Sequence, residues 1–223
     1  MSSTAPGAAS SARQVLKSDL FGIVALDRSR SIVERDTRRA RWWLAILARR
    51  LARREARALA RLQGIAGIPE LLEYEHGVLL RRFIPGQAMQ HARPRNPAYF
   101  REAHALVRAL HRRNVAHNDL AKEPNWLVTP DGRPALVDFQ LATVARRRGR
   151  WFRMLAHDDL RHLLKHKRTY CPDELTARER RVLATPSTLS RAWMATGKPL
   201  YVIITRRLLG WADREGAGDR HLR

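Results

Sequence analysis

His117-Asn118-Asp119-Leu120-Ala121-Lys122-Glu123-Pro124-Asn125-Trp126-Leu127-Val128 is a polar loop that runs directly into an apolar strand, and it holds an Asp, a Lys and an Asn within seven residues. Asp131-Gly132, shortly downstream, is a strong hairpin-turn signal. Ala135–Phe139 reads as the returning strand, and within it Asp138 follows Asp119 by nineteen residues. A hairpin sets the start of one strand beside the end of its partner. Asn125 and Asp138 are therefore expected side by side, with Asp119 on the approach loop. Phosphoryl transfer requires such a set: oxygen ligands for Mg²⁺, a carboxylate that orients and deprotonates the acceptor hydroxyl, and a cation near the moving phosphate. Lys122 is the candidate cation.

Upstream, Phe21–Leu26 and Ser31–Arg35 carry strand-like β-branched and apolar residues around a polar turn at Asp27–Arg30. Residues 38–63 read as one long helix, with Leu47, Leu51, Ala58, Leu59 and Leu62 at three-and-four spacing and arginines on the other face. Gly64, Gly67 and Pro69 end it. Leu71–Tyr74 and Val78–Phe83 read as two further strands. Residues 97–113 read as a helix with Phe100, Ala103, Leu106, Val107 and Leu110 inward, and the chain turns helical again from Asp158. Strands cluster early, a hairpin lies in the middle and helices dominate late, which is an α+β order with a strand-rich small lobe and a helical larger one.

Glu55 sits in the apolar stripe of the first helix, four residues after Leu51 and four before Leu59. A carboxylate there is costly unless paired. It is either an edge residue bonded to a nearby arginine or the buried ion-pair partner of a basic residue on a neighbouring strand.

The loop resembles the catalytic loop of protein kinases, H-R-D-L-x-x-x-N, and Val137-Asp138-Phe139-Gln140 resembles their metal-binding D-F-G. The resemblance implies a bilobal protein-kinase-like fold with a minimal N-lobe (residues 13–84) after a flexible tail (1–12), and a short helical C-lobe (85–223). It implies ATP and Mg²⁺ as cofactors, Asp119 as catalytic base, Lys122 steadying the γ-phosphate, and Asn125 and Asp138 as metal ligands. Phe21-Gly22-Ile23-Val24 resembles the end of the kinase glycine-rich loop, with Lys17 and Asp19 where the first two glycines would be. Ile32-Val33-Glu34-Arg35 resembles V-A-I-K, with Arg35 in place of the phosphate-binding lysine. Glu55 then matches the helix glutamate that pairs with that lysine. Gly22, Val24, Arg35 and Glu55 are thus the implied nucleotide-binding residues, and Val78–Gly86 the implied adenine-holding strand and hinge.

The departures are specific. Asn118 replaces the loop arginine, which argues against control by phosphorylation of the following segment. Five residues rather than four separate Asp119 from Asn125, Gln140 replaces the glycine of D-F-G, and no A-P-E segment follows. The chain is similar to the atypical branch, the RIO-type kinases and the bacterial kinases of lipopolysaccharide core sugars. The likeness covers residues 15–165, and residues 166–223 match nothing assignable.

Charge is the unusual property: 43 Lys+Arg against 21 Asp+Glu, a formal +22, with all but five of the basic residues arginine. Genomic base composition can produce such a bias, but the surface attracts polyanions either way. Arg38-Arg39-Ala40-Arg41-Trp42-Trp43 and Arg146–Phe152 share a pattern of basic residues followed by paired aromatics. Its first reading is a solvated arginine face with the aromatics in the core; contact with an anionic membrane or lipopolysaccharide comes second. Nucleic acid ranks below both, because no nucleic-acid fold motif is visible.

The single Cys171 excludes an internal disulfide. Met1–Arg13 lacks a signal-peptide core, and the apolar runs Trp42–Ala48 and Pro199–Thr205 are too short to span a bilayer. A cytoplasmic protein is expected, peripheral at most on the inner membrane face. His157, Asp158, Asp159, His162 and His166 invite a metal reading, but a polar helix start capped by Asp158 or Asp159 is favoured. Lys198–Trp211 reads as a core-packing element. The expected function is ATP-dependent phosphorylation of a hydroxyl on a protein Ser/Thr or a glycolipid sugar. The alternatives are a pseudokinase-type binding module and an arginine-rich nucleic-acid binder.

Overall fold

A computed structural model describes residues 13–184. The expected flexible tail (1–12) and the Lys198–Trp211 segment lie outside the described residues. The chain begins with three antiparallel strands, β1 (Arg13–Asp19), β2 (Gly22–Asp27) and β3 (Ile32–Asp36), followed by helix α1 (Ala45–Leu62). Strands β4 (Leu71–Glu75) and β5 (Val78–Arg82) complete a five-stranded antiparallel sheet of order β1-β2-β3-β5-β4. The helical part follows: β6 (Gln87–Ala88), α2 (Met89–Ala92), α3 (Pro97–Arg112), β7 (Val115–Ala116), β8 (Trp126–Val128), β9 (Pro134–Leu136), β10 (Thr143–Val144), α4 (Arg150–Tyr170) and α5 (Ala177–Ala184). This is the α+β, kinase-like fold that the sequence implied.

The central hairpin forms as expected. Trp126 pairs with Leu136 and Val128 with Pro134, and Gly132 takes a left-handed φ of 78° in the turn. All five inward positions of α3 are buried, and Asn96 caps that helix by accepting from the Ala98 amide at 2.9 Å. Beneath the sheet, Leu59, Leu62, Phe100, Leu110, Trp126, Leu136, Phe139 and Leu163 form one continuous core.

Two elements differ from the sequence expectation. The first helix starts at Ala45, not residue 38. Thr37 is tied by its amide and hydroxyl to the Gly77 carbonyl, and Asp36 captures the Arg38 amide at 2.9 Å. A single 3-10 turn therefore occupies residues 37–39. The N-terminal half of α1 packs through small residues, Ala48 and Ala52, so Leu47 stays 46% exposed. The last helix of the core, α4, begins at Arg150, eight residues before Asp158, so neither Asp158 nor Asp159 caps it. The aromatics of the basic clusters also depart from the first reading. Phe152 is buried, but Trp42, Trp43 and Trp151 stand on the surface. No helix among the described residues is long and apolar enough to cross a membrane.

Candidate active site

The β8–β9 hairpin forms the floor. Its pairing continues one step beyond β8, with the Val137 amide donating to the Asn125 carbonyl at 3.0 Å, so Asn125 stands opposite Val137, the residue before Asp138. The extra residue between Asp119 and Asn125 is absorbed by a 3-10 turn at Glu123–Asn125, started by Pro124. Asn125 thereby still reaches the loop: its Nδ2 donates to the Asp119 carbonyl at 2.9 Å and to Asp119 Oδ2 at 3.0 Å. Lys122 Nζ lies 3.1 Å from the same Oδ2. Both bonds from Asn125 use its nitrogen, so Oδ1 is the atom that remains for a cation.

Asp138 takes a left-handed φ of 65°, an uncommon state for a residue with a side chain. Phe139, next along, is fully buried against His117, with ring centroids 4.5 Å apart, and this packing holds the turn. Gln140 Nε2 donates to Asp138 Oδ1 at 2.6 Å, and Arg35 Nη2 lies 3.9 Å from it. Burial pushes the Asp138 carboxyl up, but Arg35, the Gln140 amide, Arg81 and His117 together outweigh it and leave the group below its ordinary range.

The roof is a buried charge cluster. Glu55 is fully buried and meets two guanidiniums, Arg35 Nε at 3.3 Å and Arg81 Nε at 3.3 Å. Val33 pairs with Arg81 and Arg35 with Leu79, so both arginines occupy the inner face of the sheet, on adjacent strands. Of the two readings of Glu55, the buried ion pair is the one found. Arg81 was missed, although the signal was present: an arginine at an inward position of an otherwise apolar strand. Burial draws its pKa down, opposed chiefly by Glu55.

Gly22 and Val24 lie on the β1–β2 hairpin. Val24 pairs with Arg35 across β2 and β3, which places it at the cluster. Gly22 has φ 124°, and a Cβ there would collide with the Asp36 carbonyl oxygen. That contact with β3 suffices to require a glycine, and the turn is tightened further by Asp19 Oδ1 accepting from the Phe21 amide at 2.9 Å.

Helix α4 fastens the loop from behind, which the sequence did not disclose. Asp159, 1% exposed, accepts the His117 amide at 2.8 Å and the Asn118 amide at 2.9 Å, and its Oδ2 lies 3.0 Å from His111 Nε2. His166 Nε2 donates to the Leu120 carbonyl at 2.8 Å, and Tyr170 donates to Glu123 at 2.8 Å. These residues fall on one face of the helix. A carboxylate between Leu155 and Leu163 was the available signal, the same pattern that singled out Glu55.

The stretch after Asp138 is held on two sides. Arg54 of α1 donates to the carbonyls of Leu141 and Ala142, and Asn118 Nδ2 donates to Leu141 O at 2.8 Å and Thr143 Oγ1 at 2.9 Å. Among the described residues no group of three or more His, Cys, Asp or Glu side chains could hold a metal ion, which removes the His157–His166 metal reading. One carboxylate and one amide oxygen nonetheless suit Mg²⁺, which completes its shell with water and substrate phosphate.

A family model described as RIO domain matches residues 13–179. No curated protein matches the chain.

Proposed function

The chain belongs to the RIO-domain family of atypical protein kinases, and from that membership we propose that it moves the γ-phosphate of Mg-ATP to a hydroxyl, as a RIO-like serine/threonine kinase or a lipopolysaccharide core sugar kinase. The observation that carries the reading is the convergence of Lys122 and Asn125 on one oxygen of Asp119, one hairpin step from Asp138. With Oδ2 so held, Oδ1 of Asp119 is positioned to accept the proton of the incoming hydroxyl. Asn125 Oδ1 and the Asp138 carboxylate are the metal ligands. Bound Mg²⁺ supplies positive charge that offsets the phosphates. Arg35, held by Glu55 and facing Asp138, is the phosphate-binding cation of the N-lobe. Gly22 and Val24 belong to the strand pair that covers the nucleotide. In this reading residues 13–84 form the N-lobe, residues from 85 onward the C-lobe, and the protein acts in the cytoplasm.

The test is transfer of labelled γ-phosphate to a membrane–lipopolysaccharide fraction and, separately, to a soluble protein fraction. Label that appears in one fraction and disappears with Asp119→Asn establishes the reaction and names its acceptor class. Equal background from both proteins overturns it.

The 2.6 Å bond from Gln140 to Asp138 favours a second reading, a pseudokinase that binds nucleotide or a partner without transfer. Stabilisation of the fold by Mg-ATP with no transfer to either fraction would select it.

A further inference from the structure

Four large apolar side chains stand on the surface within six positions: Trp42 is 87% exposed, Trp43 47%, Ile46 74% and Leu47 46%. Arginine surrounds them. Residues 38–54 hold seven arginines and no Asp or Glu. Ile46, Arg50, Arg53 and Arg57 follow one another at helical spacing along the exposed side of α1. Asp36 engages Arg38 and Arg39, and Arg54 is occupied by the Leu141 and Ala142 carbonyls. Among the described residues Arg41, Arg49, Arg50 and Arg53 have no acidic partner, so the patch carries surplus positive charge.

We propose that this patch docks the protein on an anionic phospholipid bilayer, with Trp42, Trp43, Ile46 and Leu47 entering the interface and the arginines pairing with headgroup phosphates. Tryptophan favours the headgroup region, and basic residues beside an apolar face add attraction to anionic lipid. The two aliphatic side chains favour a bilayer over RNA, because single-stranded RNA is gripped by stacking on aromatic faces, which Ile46 and Leu47 lack. A second copy of the chain would bring arginines against arginines. The Arg41 amide donates to the Leu20 carbonyl at 3.1 Å, so the patch adjoins the β1–β2 turn and docking brings that edge of the molecule to the membrane. The docking does not depend on the phosphotransferase reading, since it is measured as binding alone.

The experiment is flotation of the full chain with phosphatidylcholine vesicles, with and without phosphatidylglycerol, at low and at raised salt. A protein of charge +22 adheres to anionic vesicles through charge alone, so the decisive variants are apolar: Trp42→Ala/Trp43→Ala and Ile46→Ser/Leu47→Ser. Arg178→Gln/Arg180→Gln, on the exposed side of α5, is the charge control. The expected result is binding that requires phosphatidylglycerol, falls about tenfold or more in the apolar variants at raised salt, and is unchanged in the control, with all variants melting as the parent does. Undiminished flotation of the tryptophan variant overturns the proposal. So does short single-stranded RNA that binds through the tryptophans while the vesicles do not, or dimerisation lost on their removal without vesicle binding.

Discussion

Arg81 and Glu55 meet at 3.3 Å on the inner face of the sheet, and the same carboxylate holds Arg35 at the same distance on its other oxygen. One buried anion thus sits between two cations, and Asp138 faces Arg35 from below. Removing the shared anion should be the most damaging change in this cluster. Glu55→Ala is expected to cost about 3–5 kcal/mol, because two guanidiniums stay buried without it. Arg81→Met, of similar bulk and uncharged, should keep more stability than Glu55→Ala. Denaturant midpoints of the three proteins check the order, and a fully stable Glu55→Ala would show that the cluster is not buried in solution.

Asp159 is expected to act on the reaction without touching a substrate. Its loss leaves the buried His117 amide unpaired, at about 1–3 kcal/mol, and the half-buried Asn118 amide unpaired at a smaller cost. Misplacement of Asp119 by even an ångström lowers turnover about a hundredfold. Asp159→Ala should therefore lower both stability and kcat, and Asp159→Asn, which keeps one acceptor, should recover part of each. Kinetics of the two variants alongside their melting curves check this.

Asp119→Asn should lower kcat by about 10²–10⁴-fold if Asp119 is the base, with little change in nucleotide affinity. Separate measurements of turnover and of Mg-ATP binding by thermal shift distinguish that outcome from a loss of binding.

Gln140→Ala should strengthen metal binding. The Gln140 amide draws on the Asp138 oxygen at 2.6 Å, and a hydrogen bond to a charged group contributes about 1.5–3 kcal/mol. The Mg²⁺ concentration for half-maximal transfer is expected to fall about tenfold, whereas Asp138→Asn should abolish the response. An unchanged Mg²⁺ titration of Gln140→Ala would show that the bond does not oppose the metal.

Stability should decline in mild acid through the histidines of α4. Burial, assisted by Lys165, draws His162 down to about 4, and burial also lowers His166. His162 is neutral in the fold at neutral pH and takes up a proton on unfolding below the ordinary value near 6.5, and the lowering of His166 acts in the same direction. The His162 contribution is fully present above that pH and is lost as pH falls toward about 4. For His162 the effect at pH 5 is on the order of 1 kcal/mol. Denaturation at pH 7.5 and pH 5 should show the decline, and His162→Gln should flatten it.

The loop-and-hairpin set was legible in the sequence because its signals are local: Asp131-Gly132 fixes the turn, and the turn fixes Asn125 against Val137. Helix α3 was legible because its five apolar positions match one helical face. Glu55 was visible as a charge in an apolar stripe, but its second partner was not, since strand pairing alone brings Arg81 beside Arg35. The start of α1 was misread because Trp42–Ala48 is apolar enough to pass for a helix interior, whereas the ties of Thr37 and Asp36 delay the helix to Ala45. Asp159 was misread because His157-Asp158-Asp159 looks like a polar helix start. The arginines that precede it hide the true beginning, since they suit a helix surface and a loop equally.

The anchoring of Leu141, Ala142 and Thr143 by Arg54 and Asn118 has a consequence for when this molecule acts. A span so short is stapled to α1 on one side and to the Asn118 loop on the other, and each staple must break before it can take a second posture. On the phosphotransferase reading, these bonds leave timing to supply and address, to what arrives at the cleft and where the protein stands.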